Sequence, residues 1–276
     1  MKIISDTATL FSPAEGEDLG ITVVPVSVAI NGTSYKDYEE ITSAEFLSLI
    51  KAGGVPTSSQ PSVGDVLDVL ETTEDESLFI TVGDGLSGAY QTAVGAKNSI
   101  ADNSHIHIVN SKTLAGPLRY IVKKAVLLSR QGLNIQQIKQ SLAESIESSI
   151  SFVIPEDFEF LKRSGRLTAI TAKVGGALKL LPVLTQTDDK TRIKPLAVKR
   201  GWKPAVDTIV QRLQAINVNK DYLISICHAG TYEKAVNVLN QIRESFPFNE
   251  IEILPLSPAL ITHGGPGCIV VQAIKK

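Results

Sequence analysis

The chain of 276 residues carries 27 basic and 29 acidic side chains, a net charge of −2, and is 43% apolar. That length holds about two domains of ~150 residues or one large one, with ample apolar residues for a core. The near-balanced charge and a charged fraction of 20% argue against disorder and against a protein that coats a polyanion.

In chain order, Met1-Lys2-Ile3-Ile4-Ser5-Asp6 meets an acid too early for the apolar region of a secretion signal. The longest apolar stretch, 21–30, is half the ~20 residues a bilayer requires and contains Pro25. Segments 21–24, 78–82 and 105–109 are short and β-branched and read as buried strands. Segments 44–51, 63–70, 87–100 and 114–130 carry helical patterns. Thr42-x-x-Glu45 is a capping box and Ser62-x-x-Asp65 resembles one. This alternation predicts a mostly parallel sheet flanked by helices over residues 1–154.

The pattern changes near Pro155. Helical segments at 155–162 and 168–180 lead into a hairpin, 183–187 with 192–198, turning at Asp188-Asp189-Lys190. Helix 204–216, strand 223–226, helix 232–246 and strands 250–254 and 268–273 follow. A hairpin with helices predicts an α+β second domain over 155–276. No long linker separates the halves, so they are expected to pack directly together, with a ligand site at the seam.

Charge is uneven along the chain. Residues 156–203 hold 11 Lys/Arg and 5 Asp/Glu, a balance of +6, which leaves −8 elsewhere. This is either a solvated face with helix-end charges or a basic face for a small anionic group or an acidic partner. The excess is too small for strong nucleic-acid binding. Two cysteines, Cys227 and Cys268, make neither a disulfide framework nor a four-ligand zinc site. The expectation is a reduced, soluble, cytoplasmic protein with no metal.

Four polar, Gly-rich segments lie where strands hand over to helices or loops. Thr57-Ser58-Ser59-Gln60-Pro61-Ser62 places four hydroxyls before a helix, as an anion site or as a simple N-cap. Gly83-Asp84-Gly85-Leu86-Ser87-Gly88-Ala89 is a strand–turn–helix with Ser87 at its tip. It approaches a nucleophile elbow but ends in Ala89 rather than glycine. In Leu161-Lys162-Arg163-Ser164-Gly165-Arg166, Arg166 either caps a helix end or clamps a phosphate or carboxylate. Thr262-His263-Gly264-Gly265-Pro266-Gly267 places one imidazole among turn-forming residues, so His263 is expected on a loop. His105 and His107 share a strand face without a third ligand, and His228 ends a strand beside Cys227. Both arrangements read as structural.

Seven landmarks in order then give the chain a resemblance to the DegV family, the fatty-acid-binding subunits of bacterial fatty acid kinase. They are Ser5-Asp6-Thr7, Val24-Pro25-Val26, Ser58-Ser59-Gln60-Pro61-Ser62, Leu86-Ser87-Gly88-Ala89-Tyr90-Gln91, Leu161 to Arg166, Arg200-Gly201-Trp202-Lys203, and Thr262 to Gly267. The resemblance implies a two-domain α/β fold with a long-chain fatty acid buried between or within the domains. It implies carboxylate contacts from Ser58, Ser59, Ser87 and His263, supported by Gly88, Thr262, Gly264 and Gly265. It also gives Arg166 a part in phosphoryl transfer, carried out by a separate ATP-dependent kinase subunit that makes acyl phosphate for phospholipid metabolism. No cofactor is implied, no nucleic acid partner, and at most transient membrane contact. The chain departs from the family pattern at Asp84, which places an acid near the site, and at Ala89, which removes a hydroxyl.

Burying about 15 methylenes at ~0.8 kcal/mol each yields ~12 kcal/mol before association costs. Hydrogen bonds to a charged group contribute ~1.5–3 kcal/mol each, so three or four donors offset the burial of a carboxylate. The alternatives are a serine hydrolase using Ser87, His263 and an acid such as Asp207 or Asp221, and a regulatory binding module for a non-lipid ligand. With no G-x-x-x-x-G-K-[ST] loop in the chain, nucleotide is assigned to the partner.

Overall fold

The computed structural model describes residues 1–168 and 180–276. The chain opens with β1 (Lys2–Asp6), a 3-10 turn at Thr7–Thr9, α1 (Pro13–Leu19) and β2 (Ile21–Val24). A small excursion follows: β3 (Ser27–Ile30), β4 (Thr33–Lys36), α2 (Ser43–Lys51) and β5 (Thr57–Ser59). Then come α3 (Val63–Glu71), β6 (Ser77–Thr81), α4 (Ala89–Ser99), β7 (Ile106–Asn110), α5 (Ala115–Arg130) and α6 (Ile135–Ser148). The remainder is β8 (Ile150–Ile154), α7 (Phe158–Arg163), β9 (Leu180–Gln186), β10 (Ile193–Arg200), α8 (Trp202–Ala215), β11 (Tyr222–His228), α9 (Tyr232–Ser245), β12 (Glu250–Pro255), α10 (Pro258–Gly264) and β13 (Ile269–Lys275).

Strands β2-β1-β6-β7 form a four-stranded, wholly parallel sheet. Parity along the strands sorts its two faces, as a pleat requires. Ile3, Ile21, Val23, Leu78 and Ile80 pack against α5 and α6. Ile4, Val24 and Phe79 face Val66 and Leu70 of α3 and Ala93 and Ala96 of α4. The run 21–30 is two strands in different sheets, broken at Pro25, which lacks the N–H a ladder needs.

The second sheet has six strands in the order β10-β9-β8-β13-β11-β12, all antiparallel neighbours except β11 and β12. Its outer face carries Phe152, Ile224, Ile226 and Val271 against α8 and α9. Its inner face meets α5 and α6, where Leu223 and Ile274 join the core of the first sheet. Helices α5 and α6 therefore lie between the two sheets and bury two faces each. Gln272, fully buried, fixes this junction. Its amide donates to Leu114 O at 3.0 Å and Ser151 Oγ at 2.8 Å and accepts from Gly116 N at 3.2 Å. Gly116 permits the approach, because a Cβ there would stand 2.2 Å from Ser225 Oγ. At the hairpin turn, Lys190 Nζ donates to Ile146 O and Glu147 O at 2.8 and 2.7 Å, placing a cation on the C-terminus of α6.

The expected α/β architecture with a second sheet domain is present. Strand β8 precedes Pro155, where the pattern changes, yet it hydrogen-bonds within the second sheet. The helix expected over 168–180 falls largely outside the described residues, and Leu180 opens β9. His263 was expected on a loop, but Thr262, His263 and Gly264 close helix α10. Ser257 caps that helix and Pro258 opens it, so the chain turns helical before the glycines end it at Gly265. Among the described residues no helix is long and apolar enough to cross a membrane.

Candidate functional site

In an open parallel sheet, ligands gather beyond the carboxyl ends of the strands where the strand order reverses. Here the chain leaves β1 for β2 on one side and returns as β6 on the other. Ala8, following β1, and Val82, following β6, line a cavity of about 110 Å³. Its remaining wall is largely apolar and comes from both halves of the chain: Val26, Leu114, Val153, Leu256 and Val270 contribute.

The polar end draws on segments far apart in sequence. Ser58 sits on β5, opposite Val28 of β3, and its Oγ lies 2.9 Å from His263 Nε2 on α10. Ser59 and Gln60 follow it along the wall. Ser87 follows β6 in a turn held by Gly83, whose N–H donates to Thr113 O at 2.8 Å. Ser87 Oγ accepts from Ala89 N at 3.2 Å, which leaves its own proton free for a ligand. Arg166 donates from Nε to Leu86 O at 3.1 Å and from Nη1 to Ser164 O, and is half-buried on the same wall. Desolvation lowers its pKa, and a guanidinium stays charged through such a shift.

His263 keeps some accessible surface because it lines the cavity, although protein encloses its ring. Burial, aided by the Arg166 guanidinium, pushes its pKa down to about 3. The imidazole is therefore neutral at physiological pH and carries one ring proton. Among the described residues Nδ1 has no hydrogen-bond partner. Among the described residues a triad of Ser87, His263 and an acid is not assembled: His263 pairs with Ser58, and no carboxylate orients Nδ1. Asp207 instead accepts from Gln241 Nε2 at 2.6 Å.

The structure brings Ser58, Ser59, Ser87, Arg166 and His263 to one cavity. Of the supporting residues, Gly264 lines it, and a Cβ there would meet Cys268 Sγ at 2.8 Å. Gly88 N-caps α4 with the Gln60 side chain laid against it. Thr262 turns its hydroxyl to Pro258 O at 3.0 Å, within its own helix. Gly265 ends α10 with φ +74°, its Cα against the Phe160 ring. Asp84 accepts from Gln91 Nε2 at 2.9 Å and is not part of the cavity wall. Gln60 and Ser164, given no role on sequence grounds, also line the cavity. Among the described residues there is no cluster of three or more His, Cys, Asp or Glu suited to a metal.

The chain is similar to a DegV-family protein of Thermus thermophilus whose structure concerns fatty acid binding: 28% identity, all of both chains covered, TM-score 0.87. A DegV-family protein of Ruminococcus gnavus, refined with vaccenic acid, has 25% identity, 98% of each chain covered and a TM-score of 0.88. A DegV domain-containing protein of Clostridium acetobutylicum is 29% identical over 277 residues, 98% of this chain and 95% of the relative. The family model for uncharacterised proteins of the DegV family matches residues 1–276, and the chain therefore belongs to the DegV family.

Proposed function

We propose that this protein binds a long-chain fatty acid, with the acyl chain in the apolar cavity and the carboxylate at Ser58, Ser59, Ser87 and His263. The observation that carries the reading is the composition of one wall: the hydroxyls of Ser58, Ser59 and Ser87, a neutral imidazole and a guanidinium close a pocket whose remaining wall is largely apolar. Hydrogen bonds to a carboxylate contribute ~1.5–3 kcal/mol each, so this donor set offsets its desolvation. The ligands of the Thermus and Ruminococcus relatives support the same reading. At about 110 Å³ the cavity is below the roughly 300–1,000 Å³ usual for ligand pockets, so a long chain has to widen it by side-chain and wall movement.

We further propose that the two parts of the chain, 1–154 and 155–276, with β8 crossing into the second sheet, hold the site at their seam, and that a separate ATP-dependent kinase phosphorylates the bound carboxylate. Arg166 then stabilises charge on the transferring phosphoryl group, for which its planar fork is suited. A reducing cytoplasm fits Cys227 and Cys268, both buried free thiols. Denaturing mass spectrometry of an organic extract of the purified protein tests the central reading. A stoichiometric fatty acid is expected; lipid at background level, with no uptake on titration, overturns it.

A further inference from the structure

Two buried carboxyls lie behind the cavity wall and take no part in the reading above. Asp6 is fully buried at the end of β1; its Oδ1 accepts from Ala8 N and its Oδ2 from Val82 N, both at 2.9 Å. Both donors belong to residues that line the cavity. Fully buried just after β4, Asp37 is acted on electrostatically by the Asp6 carboxylate. It faces the Thr7 and Ser257 hydroxyls and the N–H of Ala259, another cavity residue. Among the described residues neither of its oxygens has a partner in ordinary hydrogen-bond geometry.

The charges around the pair do not neutralise it. Among the described residues no cation forms an ion pair with either acid. Arg119 turns its guanidinium to Leu10 O and stacks it 3.6 Å over the Phe11 ring. Tyr38, Glu15 and Cys227 stand in the same neighbourhood and each adds negative charge when ionised, while among the described residues Arg166 is the cation on the cavity side. An unpaired ionised carboxylate is costly in such a place, and a second anion brought to the adjoining cavity makes it costlier.

We propose that the Asp6–Asp37 pair takes up a proton when an anionic ligand enters the cavity, so that the acid is bound together with a proton. The inference rests on the fatty acid reading above and adds a linkage to it. Burial pushes Asp37 up to about 7 and Asp6 to about 6, so the pair holds its protons loosely near neutrality. A ligand carboxylate raises both further. By linkage, affinity falls as pH rises through this range.

The test is titration calorimetry of delipidated full-length protein with decanoate, in two buffers of different ionisation enthalpy, from pH 6 to 8. Between about half a proton and one proton taken up per ligand is expected at pH 7, because Asp37, titrating there, is half protonated before the ligand arrives and Asp6 is mostly ionised. Affinity should weaken several-fold across the range. Asp37→Asn should abolish most of the uptake and flatten the pH profile, with Asp6→Asn doing so in part. Binding without proton uptake by the parent protein overturns the inference while leaving the fatty acid reading intact. Uptake unchanged in both variants overturns it as well. If neither decanoate nor myristate binds at any pH, the fatty acid reading falls and this inference with it.

Discussion

Residues before 150 and residues after it bring unlike chemistry to one cavity. The first part supplies neutral hydroxyls, on Ser58 and Ser59 of β5 and on Ser87 in the turn beyond β6. The second supplies the groups that are charged or titratable, Arg166 and His263. Hydroxyls rotate to suit a ligand and orient it at little desolvation cost. A guanidinium held half-buried supplies the field, which is strong only where water is thinned. Neither part alone forms the site, and the sandwiched helices α5 and α6 hold the two in register.

The broadest way to break this comparison is to damage each sheet separately. Phe79 and Phe152 are fully buried in the first and second sheets. Replacing either with alanine should cost ~3–5 kcal/mol by chemical denaturation. Because α5 and α6 bury faces of both sheets, the loss should appear in one shared transition. Two separated transitions would show that the halves are independent.

At the site, Arg166→Ala should reduce acyl phosphate formation with a cognate kinase by at least ~100-fold while changing fatty acid retention only a few-fold. Ser87→Ala and His263→Ala should each weaken retention by about ten- to hundredfold, equivalent to ~1.4–2.7 kcal/mol from one lost donor. If Arg166→Ala instead releases the lipid, the cation belongs to the carboxylate contacts and the division between orienting and field-supplying groups fails.

Titration sharpens the contrast further. An unfolded chain protonates His263 near the ordinary histidine value, whereas burial holds the folded ring neutral down to about 3. Between those values the unfolded state carries the extra proton, so stability falls as pH falls. One such group gives a slope approaching ~1.4 kcal/mol per pH unit. His263→Gln should flatten that slope in acid denaturation, whereas Ser87→Ala should leave it unchanged. The smallest effect is expected at Ser43, whose Oγ donates to Leu256 O at 2.8 Å between α2 and the segment before α10. Ser43→Ala should cost about 1 kcal/mol or less.

Much of this was legible from spacing and chemistry. The capping box at Thr42 and Glu45, the strand–turn–helix around Ser87 and the hairpin after residue 180 follow from local rules, and all three are present. The errors came where two local signals competed. The glycines from Gly264 onward suggested a loop for His263, but Ser257-Pro258 upstream starts a helix that carries it. Asn134 and Gln137 form a capping box for α6, a local signal present in the sequence that the strand–helix pattern did not include. Strand β8 was hidden because its partners β9 and β13 lie 30 and more residues downstream, where periodicity offers no guide. The pairing of Ser58 with His263, 205 residues apart, and the burial of Asp37 are tertiary facts that no local pattern records.

The place of β13 has a consequence during synthesis. It lies between β8 and β11, so until it emerges the second sheet exists only as two fragments with open edges. Translation at ~5–20 residues per second takes on the order of 6–20 s to pass from Ile154 to Ile269. Over that interval β8 offers one unsatisfied row of N–H and C=O groups, a template for wrong partners. The first sheet, complete by Asn110, can form ahead of this wait. The cavity cannot, since Val270 of its wall belongs to the strand that arrives last. A nascent or truncated chain thus exposes an open sheet edge before the cavity wall is complete.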